Sequence, residues 1–131
     1  EISEIESIGD SCFNMARTIN RRFTSKEDFT PQQYEHIHQM FNLTNNALEQ
    51  MNYMFNHTRE TIDVNHSFNI ENEINNYRDQ LRTQNINDVN SHAYTYTIGT
   101  MYMDLIQECE KLGDYVVNVV EARMNTKQRE V

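Results

Sequence analysis

Apolar residues recur every three or four positions in four long stretches of the chain, and each stretch predicts an amphipathic helix. The second stretch opens with Thr30, Pro31 and Gln33, a capping-box start with proline at the first helical position. The predicted helices span approximately residues 2–22, 31–56, 62–84 and 91–124. The pattern therefore predicts an all-α fold, an antiparallel bundle of four long helices.

The spacing of the apolar residues also predicts which face of each helix is buried. The face expected on the first helix consists of Ile2, Ile5, Ile8, Cys12, Met15 and Ile19. The face expected on the last helix consists of Met101, Leu105, Leu112, Val116 and Val119. We interpret Cys12 and Cys109 as reduced thiols in or near the core, because two cysteines do not make a disulfide framework in a chain of this length and each lies inside a predicted helix.

Composition narrows the function classes. The 131 residues suffice for a single domain, residues 1–131, and the low counts of glycine (3) and proline (1) favour long helices over a turn-rich β fold. A net charge of −9 would repel a phosphate backbone, so we expect no nucleic-acid partner. No stretch approaches the roughly 20 apolar residues of a membrane span, which predicts a soluble segment without direct membrane insertion.

The strongest motif is an internal repeat, in which residues 4–14 and 108–118 align without a gap. Both copies contain Glu-x-x-x-Asp-x-x-x-Asn, spaced so that the three side chains share one helical face. These residues are Glu6, Asp10 and Asn14 in the first copy and Glu110, Asp114 and Asn118 in the second. A glycine precedes each aspartate, Gly9 and Gly113, which predicts the close approach of a neighbouring helix or a ligand.

The acidic ridges have two explanations. Two carboxylates one helical turn apart repel each other, and a bound hard cation with oxygen ligands would relieve that repulsion. The alternative is a solvated acidic face, or carboxylates paired with lysine or arginine on a neighbouring helix.

The repeat also carries a resemblance. The strings Ile5–Asp10 and Cys109–Asp114 resemble the E-R-I-G-D signature that occurs twice in the PhoU family, although Ser7 and Lys111 stand where arginine is common. The family is built from two three-helix repeats with this motif on each third helix. The stretches Glu71–Arg82 and Tyr102–Leu105 together resemble the PhoU-like C-terminal domain of bacterial sodium/phosphate cotransporter proteins.

The resemblance implies one complete three-helix repeat preceded by the last helix of another. Because the chain begins at Glu1 without a methionine, we expect it to be a fragment of a larger protein. The implied function is a regulator of phosphate uptake on the cytoplasmic side of the bacterial inner membrane. Its expected partners are the membrane domain of a sodium-dependent transporter or a phosphate-signalling protein, and a homodimer is compatible with this role.

The resemblance also implies a metal site and no enzymatic activity. The ligands carried over are Glu6, Asp10, Glu110 and Asp114, supported by Asn14 and Asn118, for a divalent or trivalent ion of iron, manganese, magnesium or zinc.

Two alternatives stay open. One is a ferritin-like di-iron carboxylate protein, for which Glu35 to His38 and Asp63 to His66 are the available Glu-x-x-His-like pairs. The other is a metal-free helical interaction module.

Overall fold

The computed structural model describes residues 2–57 and 64–129, with side chains described for 3–57 and 65–124. Within these ranges the chain is helical throughout apart from its short connections, which confirms the predicted all-α bundle. The four helices are α1 (Ile2–Thr24), α2 (Pro31–Asn56), α3 (Val64–Asn90) and α4 (Tyr96–Arg129).

The helix α4 forms the centre of the molecule. Its five predicted core residues are all buried, and so are residues on its other faces, such as Ile98, Ile106 and Val120. Only a narrow polar face of α4, which includes the exposed Lys111, Asn118 and Glu121, is left to solvent, and so wide an apolar surface must be covered by several other elements. The other three helices accordingly all pack on α4, with α1 and α3 antiparallel to it.

The packing around α4 is uneven. The helices α2, α3 and α4 contact one another pairwise and form a three-helix bundle. By contrast, α1 packs along α4 and barely contacts α2 or α3. The bundle is therefore open between α1 and α2, where a groove of ≈ 380 Å³ lies above Cys109 and Leu112.

The start of α2 follows the predicted capping box. The Thr30 hydroxyl accepts a hydrogen bond from the Gln33 backbone N–H at 3.1 Å, and the Thr30 N–H donates to the Gln33 side chain at 2.9 Å. The two bonds satisfy backbone and side-chain groups that a helix start otherwise leaves to water.

The connection between α3 and α4 differs from the sequence prediction. Helix α3 continues six residues beyond the predicted end at 84, and α4 begins at Tyr96 rather than at 91. The polar residues 83–90, at which α3 was predicted to end, include no glycine or proline, so nothing in them prevents the helix from continuing. Thr95 instead starts α4 by accepting a hydrogen bond from the Ile98 N–H at 3.2 Å.

The buried face of α1 also differs from the prediction. Ile8 and Met15 pack against the core as expected, but Ile5 and Ile19 are 51% and 45% exposed. Cys12 is exposed as well, which contradicts its assignment to the core. Among the described side chains of α1, the buried ones belong to two polar residues, Ser11 and Thr18. The side chain of Ile2 lies outside the described ones.

None of the helices within the described part of the chain is long and apolar enough to cross a membrane.

Candidate carboxylate site between α3 and α4

Three carboxylates from two helices meet on one side of α4. Glu110 and Asp114 lie one turn apart on one face of α4, as the repeat predicted, and both are half-buried. Glu71 lies nearby on α3, close enough for its charge to interact with those of Asp114 and Glu110. Two neighbouring carboxyl groups form a hydrogen bond only if one of them carries a proton.

The crowding changes the acidity of these groups. Burial, followed by the hydrogen bond to Asp114 and the nearby negative charges, raises the pKa of Glu71 to about 7. Burial and the same Asp114 hydrogen bond also raise the pKa of Glu110, partly offset by the charges of Arg78 and Arg82. Near neutral pH the cluster therefore takes up a proton, which reduces its negative charge.

One arginine contributes further neutralisation. The Arg78 Nη1 atom lies 3.3 Å from Glu110 Oε1, and its Nη2 atom lies 2.9 Å from Asp79 Oδ1. One explanation of the acidic ridge was that its carboxylates pair with lysine or arginine on a neighbouring helix. Glu110 is paired in this way.

The glycine of the second repeat lies in the same contact. A Cβ atom added at Gly113 would come within 3.1 Å of the Ile74 Cδ1 atom on α3. Such a distance is too short for comfortable van der Waals contact, so the absence of a side chain lets α3 approach α4 closely. The predicted close approach of a neighbouring helix is confirmed at Gly113.

The first repeat lies in a different environment. Glu6 and Asp10 are exposed on α1, and a Cβ added at Gly9 would meet no atom within 4 Å. Of the two approaches predicted at this glycine, that of a neighbouring helix is contradicted at Gly9 within the described residues, and that of a ligand stays a prediction. Asn14 turns away from the two acidic residues and lies 3.5 Å from Glu108 Oε1 on α4.

The matching asparagine of the second copy also departs from the repeat, because Asn118 is exposed whereas Asn14 is half-buried. The repeat in sequence thus places its two copies in unlike surroundings. Which residue faces α4 or solvent depends on where each helix is packed, and the two helices are packed differently.

A second polar contact joins α1 and α4. Glu108 is only 9% exposed, and its Oε1 atom contacts Asn14 and the Lys111 Nζ atom, the latter at 3.2 Å. Its buried Oε2 atom makes no hydrogen bond within the described residues. The ion pair with Lys111 and the amide contact compensate for much of the cost of burying this carboxylate.

The oxygen atoms of this cluster are of the kind that binds a hard cation, but the side chains are not arranged as a metal site. Carboxylate oxygens such as those of Glu71, Glu110 and Asp114 are the ligands that magnesium, manganese and iron accept. Across residues 2–57 and 64–129, however, no three His, Cys, Asp or Glu side chains are placed so as to hold a metal ion. In the cluster as it stands, the negative charge is offset by Arg78 beside Glu110 and by the raised pKa values of Glu71 and Glu110.

The pairs proposed for a di-iron site are not gathered either. Glu35 and His38 are both exposed on α2, and His66 is exposed on α3. Asp63 lies outside the described residues.

Glu71 and Arg78 complete the cluster, and the sequence prediction of ligands did not include them. Both occupy the position next to the buried stripe of α3, since Glu71 follows Ile70 and Arg78 is seven residues further on the same face. Polar residues at that spacing beside a buried stripe are the signal that could have identified them.

No protein-family model, no curated protein and no solved structure matches this chain.

Proposed function

We propose that this chain is a regulatory domain of the PhoU type, which binds the cytoplasmic face of a sodium-dependent phosphate transporter and modulates phosphate uptake without catalysing a reaction. The observation that carries the proposal is the packing pattern. Three helices, α2, α3 and α4, form one mutually packed unit, and α1 adds to it mainly along α4. A chain that holds one three-helix repeat and the last helix of another would have this arrangement.

The acidic repeat gives the proposal its second support. Both copies keep Glu-x-x-x-Asp, and the copy on α4 lies in a half-buried cluster whose charge responds to its surroundings. A group with a pKa of about 7 changes its protonation near neutral pH, which suits a sensor, and Glu71 is such a group. A divalent cation would compete with the bound proton for the same oxygens, with Glu110 and Asp114 as its first ligands.

The experiment is sodium-driven phosphate uptake by bacterial cells that carry the full-length gene. Removal of the codons for this chain is expected to change the uptake rate, or its dependence on external phosphate, relative to the intact gene. Unchanged uptake at every phosphate concentration would contradict the regulatory proposal.

Point variants separate the two copies of the repeat. The variant E110Q/D114N keeps the size of both side chains but removes their charge, and it is expected to reproduce part of the effect of deletion. The matched variant E6Q/D10N makes the same change on the exposed face of α1. Equal effects of the two variants would mean that the half-buried cluster has no special part in regulation.

A further inference from the structure

Three sulfur atoms border the groove between α1 and α2. Cys12 and Met15 contribute a thiol and a thioether from α1, and Cys109 contributes a second thiol from α4. These are the two cysteines of the chain and the one methionine of α1. The groove, of ≈ 380 Å³, is far larger than a metal ion, so an ion can reach the sulfur atoms from the solvent side.

Two of the sulfur atoms are already as far apart as two ligands of one metal ion. The Cys109 thiol donates a weak hydrogen bond to the Met15 thioether, and the Sγ and Sδ atoms are 3.8 Å apart. Sulfur ligands that lie about 2.3 Å from a metal are about 3.8–4.0 Å from each other in tetrahedral or trigonal coordination. An ion could therefore bind both atoms with little movement of α1 relative to α4.

Cys12 can supply the third sulfur. It precedes Met15 by three residues, so the two side chains are neighbours on one face of α1. Burial is the main cause of the raised pKa of Cys109, and the charge of Cys12 contributes to it as well, which places the two thiols near each other. The methionine side chain is flexible enough to adjust to an ion between them.

The kind of ligand selects the kind of metal. Thiolates and thioethers are soft ligands, which favour Cu(I) over magnesium, manganese and other hard cations. Zinc sites use cysteine, histidine and carboxylate ligands, almost always four in a structural site. His38 also borders the groove, but in the described part of the chain no three His, Cys, Asp or Glu side chains are placed to hold a metal. A thioether is needed to complete the ligand set, and this requirement favours Cu(I).

We propose that Cys12, Met15 and Cys109 bind one Cu(I) ion, which links α1 to α4. Both thiols release their protons to solvent when the ion binds, so Cu(I) and two thiolates form a unit of net charge −1 and no electron is transferred. The proposal is independent of phosphate regulation, because it rests on this groove and not on the α3–α4 carboxylates. A helix of a longer protein that covered α1 would enclose the three sulfur atoms without removing any of them.

Competition with a coloured Cu(I) chelator, without oxygen and with ascorbate as reductant, tests the site in the 131-residue chain. The wild type is expected to withdraw one Cu(I) per chain, and its mass in sedimentation equilibrium is expected to stay the same when Cu(I) is added. The variant E110Q/D114N removes the candidate ligands of a hard cation and is expected to bind Cu(I) like the wild type. This control separates a failure of the copper site from a failure of the proposed function.

Variants of α1 identify the ligands. Loss of a residue that only supports a ligand costs about 10–100-fold in metal affinity, so C12S is expected to weaken Cu(I) binding at least about 100-fold. M15L is expected to weaken it about tenfold, because a thioether binds less strongly than a thiolate. The control M51L makes the same change at a half-buried methionine of α2 that does not border the groove, and is expected to bind like the wild type.

C109A removes the buried ligand and is expected to weaken binding at least as much as C12S. Circular dichroism verifies that each variant is folded, and C12S, at an exposed position, keeps the test decisive if C109A does not fold.

Three results would overturn the proposal. A wild type that withdraws no Cu(I) from the chelator would show that the groove is not a copper site. Uptake of one Cu(I) per two chains, with a doubled mass, would show that the exposed Cys12 thiols of two copies bind the ion between them. Equal affinities of M15L and M51L would show that the contact between Met15 and Cys109 is packing alone.

Discussion

His92 has a φ angle of 60°, the one positive φ at a non-glycine position in the described residues. It follows the end of α3, where the Ala93 N–H donates to the Asp88 carbonyl and the His92 N–H donates to the Val89 carbonyl. These two bonds define the Schellman motif, which usually has glycine at this left-handed position. A histidine is strained there because its Cβ crowds the backbone.

We therefore predict that H92G stabilises the protein by about 0.5–1 kcal/mol, after the added flexibility of the unfolded chain is deducted. Urea denaturation would measure the change. The control S91G alters the neighbouring residue, whose φ is not positive, and is expected to lower the stability. A destabilised H92G would mean that the histidine makes interactions worth more than the strain.

At the same scale, Glu71 makes the stability depend on pH. Its pKa in the folded state, about 7, exceeds the ordinary value of 4.5, so the folded protein binds the extra proton between these two values. The contribution of Glu71 to the free energy of unfolding is therefore greatest below pH 4.5. It decreases as the pH rises from 4.5 and is lost once the pH has passed 7. We expect a loss of about 1–2 kcal/mol, reduced by solvent screening.

The variant E71Q should abolish most of this loss, because glutamine cannot ionise and can still donate a hydrogen bond to Asp114. Thermal unfolding between pH 5 and pH 8 measures the effect. The exposed Glu73 on the same helix provides the control, since E73Q should leave the pH profile unchanged. A profile for E71Q that matches the wild type would show that other groups cause the dependence.

How much the sequence reveals at residue scale depends on the range of the interaction. The cap formed by Thr30 and Gln33 was predictable because its partners are three residues apart. The effect of Asp114 on the pKa of Glu71 was not predictable, because these residues are 43 positions apart and meet only through the packing of α3 on α4.

At the scale of the helix, the two repeated glycines provide a matched pair. Both sit inside helices, where alanine is favoured over glycine by about 0.8–1 kcal/mol. The added methyl group enters open space at Gly9 but meets Ile74 at 3.1 Å at Gly113.

We predict that G9A gains most of this helix propensity, whereas G113A gains less or loses stability. Denaturant midpoints of the two variants give the comparison. The bulkier G113L should be destabilising by about 1–3 kcal/mol, since it cannot be accommodated without moving α3. Equal gains for G9A and G113A would mean that Ile74 moves aside at no cost.

The apolar pattern predicted the existence and type of all four helices, but it misassigned the buried face of α1. Ile5, Cys12 and Ile19 have helical spacing, and so do Ile8 and Met15, so the sequence contains two overlapping stripes. Periodicity alone does not decide which stripe meets α4. The choice of Ser11 and Thr18 for the buried face depends on the shape of α4, which is a tertiary property.

At the scale of the whole molecule, the metal prediction can be tested through stability. A cation that binds only the folded state raises the free energy of unfolding, by about 2.7 kcal/mol at 100 times its dissociation constant. We expect the melting temperature of the wild type to rise with Mn²⁺ or Mg²⁺ and that of E110A/D114A to stay constant.

The variant E6A/D10A distinguishes the two halves of the predicted ligand set. If the α4 carboxylates bind alone, this variant keeps the full rise in melting temperature. If Glu6 and Asp10 also contribute, the rise is smaller. A wild-type melting temperature that is insensitive to both cations would contradict the metal prediction altogether.

The central position of α4 has a consequence for how the protein is made. During synthesis, α1, α2 and α3 leave the ribosome before the helix on which all three pack. Until then the apolar faces of α1 and α3 lack their main partner, and the one extensive contact that the described parts of these helices can form is that between α2 and α3. Folding must therefore wait until the residues of α4 have emerged, and a nascent chain stalled before Tyr96 would be a substrate for chaperones and proteases rather than a partly finished bundle.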